Sequence, residues 1–351
     1  MLTPTFISTS SLTSDTQASI AQIQKRLVDA QKELASNEHA DIGLTLGAGT
    51  GVAVSLRQDV NQIQSIKSTN TIVLSRMQAS QSALGTLGDV SQKLMDALTP
   101  AQSTGMDPDA VYQQGQAALQ SLQDQLNTSM DGQYLFSGIN SDVKPLNDYF
   151  GNPPPASAQS VKDAFVAKFG MSPDDPNVST ISGSDMQDFL DNQFASLFSD
   201  ANWSANWSGA SDKPVNSRIS RTETADTSTT ANNPAFRQLA QAFTMVAGLN
   251  LPNLSSDAQQ AIIKTATNLV GNGTAALTKV QSFLGVTQQR VSDSNTQIDN
   301  QVKFLSTSID GLEQVDSASV LTQVTQLQTQ LEAAYTLTSQ ISKLSIMDYL
   351  T

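Results

Sequence analysis

Four groups of residues in this chain have types and spacing that could do chemistry. The run Leu44-Thr45-Leu46-Gly47-Ala48-Gly49-Thr50-Gly51 places glycines after an apolar stretch and before a helix, the order of a phosphate-cradling turn. A dinucleotide fingerprint needs its third glycine where Val52 stands, and a strand–helix–strand unit around it. No second strand follows and no Lys-Ser/Thr pair completes a P-loop, so the run reads as a joint between helices. His39, flanked by Glu38 and Asp41, has the side chain of a pH switch or weak metal ligand; a lone His on a polar segment reads as solvated. Asp174, Asp175, Asp185, Asp188 and Asp191 offer oxygens of the kind calcium prefers. They lack the alternation, turn glycine and terminal Glu of a helix–loop–helix site, and read as a solvated acidic face. Trp203 and Trp207, each in an Asn-Trp-Ser triplet, have faces that stack on sugars, but buried anchors of a small domain are the preferred reading. No nucleophile elbow is present. The sequence assigns no catalytic residue, no metal ligand and no cofactor, and the chain does not read as an enzyme.

Composition narrows the classes further. The net charge is −13, so nucleic acid is an unsuitable partner: no basic stripe can neutralise phosphates. There is no Cys, hence no disulfide, thiolate metal site or Cys nucleophile, and the single His excludes paired-His zinc motifs. No run has the apolar length needed to insert across a membrane. Met1 to Gln24 holds one charged residue, Asp15, and lacks the basic start and apolar stretch of a secretory signal. Composition alone favours a flexible cytoplasmic terminus over an export leader.

The elements around these residues are helical. Ile20, Ile23, Leu27, Ala30 and Leu34 recur at steps of three and four, the seam of an amphipathic helix that Ser14 or Asp15 would cap. A second helix is predicted over about 52–98. Leu56, Ile63, Asn70, Met77, Leu84 and Leu98 share one heptad position; Ile66, Val73, Leu87 and Leu94 share its partner. Asp59, Ser80 and Ser91 interrupt this seam, and Asn70 either fixes register or faces solvent. A third helix is predicted over about 108–130. Near the C-terminus Leu277, Val280, Leu284, Val291, Ile298, Leu305 and Leu312 form one stripe. Val320, Val324, Leu327, Leu331, Ala334, Ile341 and Leu344 form the next. Neither end can bury its stripe alone, so the two ends pack on each other or on other subunits. The segment between differs: it holds both Trp and most of the prolines, with short helices at 161–169 and 186–198 and a hairpin from 215–220 and 222–229.

One segment lies outside the helical logic. Gly132 permits a turn, Tyr134-Leu135-Phe136 reads as a strand, and Gly138 turns again. Gln133-Tyr134-Leu135-Phe136-Ser137-Gly138 resembles the motif with which the flagellar hook-associated protein 3 family leaves its rod for its outer domain. Ile7-Ser8-Thr9-Ser10 with Ile23, Leu27 and Leu34 is similar to a flagellin-type N-terminal helix. Ala276 to Arg290 is similar to the returning rod helix, and Val315-Asp316-Ser317-Ala318 through Ile346-Met347-Asp348-Tyr349-Leu350 to the C-terminal helix. The Ser-Gly and Asp-Asp-Pro signatures common after the first helix are absent; Leu34-Ala35-Ser36-Asn37 stands there instead.

The resemblance implies a mainly α fold. Both chain ends form a long antiparallel, coiled-coil-like rod that carries a small mixed α+β insert. Terminal helices at 1–42 and 313–351 would form an inner tube, 43–140 and 265–312 the rod, and 141–264 the outer domain. Ile20, Ile23, Leu27, Leu34, Val324, Leu327, Leu331, Ile341 and Leu344 would be the assembly interface. It further implies an extracellular structural subunit of the bacterial flagellum at the hook–filament junction, exported through the flagellar type III apparatus. Its partners would be the hook-side junction protein, flagellin, further copies in a ring, and a cytoplasmic chaperone at the C-terminal helix. A filament-forming flagellin, or a coiled stalk presenting a glycan-binding module on Trp203 and Trp207, are the alternatives.

Overall fold

The computed structural model describes the backbone of residues 9–102 and 107–343. In chain order the elements are α1 (Thr9–Ser36), α2 (Ile42–Leu46), α3 (Thr50–Ala101), α4 (Pro108–Leu126), β1 (Ser129–Met130) and β2 (Gln133–Tyr134). Then come α5 (Ala156–Phe169), α6 (Gly183–Phe189), α7 (Asp200–Asn202), β3 (Asn216–Arg218), β4 (Thr224–Asp226), α8 (Pro234–Gly248), α9 (Ser256–Glu313) and α10 (Ser317–Lys343). The protein is mainly α, with long helices toward both ends and two small antiparallel hairpins, β1–β2 and β3–β4. No described helix is long and apolar enough to cross a membrane.

Two compact units divide the described chain. One holds the described residues up to Gln64 and from Asp299 onward; the other is Ser65–Ile298. In the central unit α3 and α9 run antiparallel: Gln102 Nε2 donates to Thr267 Oγ1, Gln81 Nε2 to the Gln281 carbonyl, and Asn70 Nδ2 to Asn295 Oδ1. The heptad stripe is buried as its spacing demands, with Met77, Leu84, Leu87, Leu94 and Leu98 inside. Ser80 and Ser91 continue the same seven-residue steps and are buried, not interruptions that face water. Each hydroxyl donates to the carbonyl four residues back, Arg76 and Leu87 respectively, so neither costs an unpaired polar group.

Local chemistry sets the helix ends. Asp107 caps α4 by accepting from the amides of Asp109 and Ala110, with Pro108 at the first helical position. Asn233 and Pro234 open α8 the same way. Left-handed Gly170 ends α5, and Asn37, at φ 60°, follows the last residue of α1. Some boundaries differ from the sequence reading. Helix α1 begins at Thr9, so Ser14 and Asp15 lie inside it and cap nothing. Helix α4 stops at Leu126, because Asp131 (φ 53°) and Gly132 (φ 76°) make a two-residue turn that pairs Met130 with Gln133.

The segment between the long helices is not a body held apart from them. Within Ser65–Ile298 one apolar core runs from Val73 and Leu98 through Phe136 and Phe236 to Leu277 and Val291. A continuous run of aromatic contacts fills its far part, linking Phe165, Phe169, Phe189, Phe194, Phe198, Trp203, Trp207 and Tyr149. Rings provide large buried area with few rotatable bonds, which suits a region built from short helices and turns. Tight helix contact needs glycine at two places. A Cβ on Gly115 of α4 would lie 2.5 Å from Val246 of α8, and one on Gly273 of α9 would lie 2.7 Å from Leu239.

Candidate assembly interface and junction motif

Residues 133–138 sit where α3, the end of α4 and the 208–233 segment meet. Tyr134 N donates to the Ser141 carbonyl (2.8 Å) and Leu135 N to the Thr128 carbonyl (3.0 Å). The next residues are hydrogen-bonded on both sides: Ala231 N donates to the Phe136 carbonyl (2.7 Å) and Ser211 N to the Ser137 carbonyl (3.0 Å). Leu135, Phe136 and Ser137 are buried, and the Phe136 ring meets Phe236 edge-on at 5.9 Å. Gly138 has φ 63°, and a Cβ there would lie 2.4 Å from the Lys213 carbonyl. Only glycine satisfies both conditions. Strand β2 is shorter than the predicted Tyr134–Phe136, since only Gln133 and Tyr134 pair as a strand. Arg76 of α3 holds the motif's start by donating to Gln133 Oε1 at 3.0 Å. Asn127 forms a reciprocal pair with the Leu146 backbone at 3.0 and 2.9 Å. The motif is therefore a buried splice that fixes the exit from α4 to α3 and to the later chain.

Hairpin β3–β4 is tied to the long helices at Ile219. Its carbonyl accepts from Asn70 Nδ2 (2.9 Å) and from Ser294 Oγ (2.5 Å). Asn70 is fully buried and does not face solvent; among the described residues its Oδ1 accepts no hydrogen bond. Arg290 of α9 pairs with Glu223 at 2.5 Å.

The terminal unit is built differently. Helices α1 and α10 lie antiparallel over a small cluster of Ala30, Val320, Val324 and Leu327, with Ile23, Leu27 and Val315 packed against it. Gln24 Nε2 donates to the Tyr335 hydroxyl at 2.7 Å. Both helices end at a polar joint. Val315 N donates to the Asn37 carbonyl (3.2 Å), Ser317 Oγ to Asn37 Oδ1 (2.5 Å), and His39 N to the Glu313 carbonyl (3.0 Å). Glu313 is buried and grips the Arg57 guanidinium with both carboxylate oxygens, which raises the Arg57 pKa above its ordinary value.

Of the residues expected to form an assembly interface, Ile23, Leu27, Val324 and Leu327 lie in the seam between α1 and α10. Ile20 and Leu331 are half-buried, and Leu34 is exposed. Ile341 is in α10 with its side chain outside the described residues, and Leu344 lies outside them entirely, as do Ile7, Ser8 and Ile346–Leu350. The seam leaves other apolar side chains in water: Val28, Leu321, Tyr335 and Leu337 on the two helices, and Phe304 on α9. Sequence spacing found the seam and missed this second set, which carries no periodic signal.

Ile42–Leu46 is a helical turn, so the glycine run has no strand before it and is not a phosphate-binding turn. His39 Nδ1 lies 3.7 Å from Glu33 within the polar joint. Among the described residues no three His, Cys, Asp or Glu side chains come together as a metal site. Trp203 and Trp207 are stacked on each other at 5.5 Å and buried, so they form no sugar-stacking platform.

The family model of the bacterial flagellin N-terminal helical region matches residues 7–141, and that of the C-terminal helical region matches residues 267–350. No curated protein matches the chain significantly. A solved structure of a provisionally named flagellar hook-associated protein from Vibrio parahaemolyticus is similar in fold. It has a TM-score of 0.51 at 10% identity, over 76% of this chain and 97% of that one. Because the two matched helical regions together span more than half of the sequence, the chain belongs to the bacterial flagellin family, whose members are structural proteins of the flagellum.

Proposed function

We propose that this protein is the subunit joining the hook to the filament, and not the bulk filament subunit. The observation that carries the reading is the Gln133–Gly138 segment, whose sequence resembles the hook-associated protein 3 motif and whose Phe136 and Gly138 are held by burial and close backbone approach. The similarity in fold to a provisionally named hook-associated protein supports it. In this reading the terminal helices line an inner tube, residues 141–264 face outward, and the subunit is exported through the flagellar type III apparatus to the extracellular flagellum. Its neighbours are the hook-side junction protein, flagellin and further copies in a ring, and a cytoplasmic chaperone holds the C-terminal helix before export. The apolar side chains left in water on α1 and α10 suit such contacts: subunits stay exportable until neighbours cover them.

A strain lacking this gene provides the test. The expected result is cells that retain hooks, lose attached filaments and shed unpolymerised flagellin into the medium. Cells that keep attached filaments would overturn the junction role and leave a filament flagellin as the reading. Purified subunits growing into long filaments alone would do the same.

A further inference from the structure

The central unit contains a cavity of about 710 Å³. Its size falls within the ordinary range of small-molecule sites. One wall is α9, where Phe283 presents a ring that is 51% exposed and Lys279 projects beside it. Trp203 closes the cavity on another side, buried and anchored by Nε1 donating to Asn232 Oδ1 at 3.0 Å. The lining also carries Asp212 and Asp226. Each is held by one internal donor, Asn232 Nδ2 to Asp212 Oδ1 (2.7 Å) and Asn216 Nδ2 to Asp226 Oδ1 (2.8 Å). Their second carboxylate oxygens retain acceptor capacity.

Charge decides among ligand classes. Asp200 and Arg237, both in the lining, pair with each other and cancel. That leaves two carboxylates against the Lys279 ammonium, a balance that does not favour an anion. The walls instead combine acceptors, one strong donor and several hydroxyls and amides with a half-exposed aromatic face. A ligand with many hydroxyls and an apolar C–H face satisfies all three. We propose that this cavity binds a neutral saccharide, with a sugar face against Phe283 and its hydroxyls shared among Asp212, Asp226 and Lys279. This site is distinct from a platform made by the two tryptophans, which are buried, and does not depend on where the subunit sits in the flagellum.

The test is saturation-transfer NMR on the full-length purified chain with maltotriose and with chitobiose, each up to about 10 mM, where affinities weaker than millimolar become readable. Saturation transfer to at least one probe is expected, reduced tenfold or more by Phe283→Ala and by Asp226→Asn. Phe283 and Asp226 are both at the surface, so circular dichroism should show unchanged helicity in both variants; Lys279→Ala is a third surface variant should either one unfold. No transfer to either probe would overturn the proposal. Transfer that survives Phe283→Ala, Asp226→Asn and Lys279→Ala would overturn it equally, by placing the sugar elsewhere.

Discussion

The central unit and the terminal unit are made from the same kind of helix, yet they solve opposite problems. Ser65–Ile298 buries one continuous core in which Phe136, Phe236, Leu84 and Leu277 are all but inaccessible. The terminal unit buries Ala30, Val320, Val324 and Leu327 in one small cluster and leaves Val28, Leu321, Leu337 and Phe304 more than half exposed. A two-helix seam cannot offset the entropy of ordering its chain as a full core does. The central unit is therefore complete within one chain, while the terminal unit leaves apolar surface that, in the function proposed above, neighbours would cover. Substitutions should separate the two: damage to the first appears as unfolding, and damage to the second as failed assembly.

The largest effect is expected at Phe136→Ala. The ring is fully buried against Phe236, and truncation leaves a cavity in the splice, a loss of about 3–5 kcal/mol. Denaturant unfolding followed by circular dichroism measures it; a loss below about 1 kcal/mol would mean the motif is not part of the core. Gly138→Ala ranks next. The left-handed backbone alone costs about 1–2 kcal/mol, and a Cβ 2.4 Å from the Lys213 carbonyl adds to it. The same titration should show a lower midpoint with an unchanged slope.

Leu327→Asp tests the independence of the two units directly. A carboxylate replaces a side chain in the small terminal cluster, so α1 and α10 should separate. Hydrogen exchange should rise in α1 and α10, while the unfolding midpoint of the central unit stays within about 0.5 kcal/mol of the parent. A collapse of the central unit would break the comparison.

How much of this was legible in the sequence follows from the range of the interactions. The heptad steps through Met77, Leu84 and Leu98 reported α3, because a helix face is a local pattern. The same steps placed Asn70 on the seam, but its burial depended on Ile219 and Asn295, each far away in the chain. Ser80 and Ser91 looked like interruptions because polarity was read without their back-bonds to the preceding turn. The Gly138 turn was readable, whereas its close approach to Lys213 was not, since only the folded chain brings those segments together. The saccharide cavity was invisible for the same reason: Asp212, Asp226 and Phe283 share no motif.

Alkaline pH should reach the central unit through Tyr149. Burial raises its phenol pKa above the ordinary value of about 10, so the folded chain keeps a proton that the unfolded chain loses. Its contribution is fully present below pH ~10 and declines as pH rises beyond it, because there the unfolded state binds fewer protons. Tyr149→Phe should flatten the decline in unfolding midpoint above pH ~10. An unchanged slope would assign the alkaline loss to other groups.

The smallest effect on the isolated chain is the most informative for the comparison. Leu321→Ser with Leu337→Ser removes two side chains that are each 54% exposed on α10, away from the Val324–Leu327 seam. Both are more than half exposed, so unfolding should shift by no more than about 0.5 kcal/mol. If these surfaces exist to be covered by neighbouring subunits, the same variant should be exported yet fail to restore attached filaments in cells lacking the parent gene. Restored filaments would mean that the exposed apolar side chains are incidental, and that the α1–α10 seam is the whole of the terminal unit's design. A monomer destabilised by several kcal/mol would instead show that these leucines already have partners within the chain.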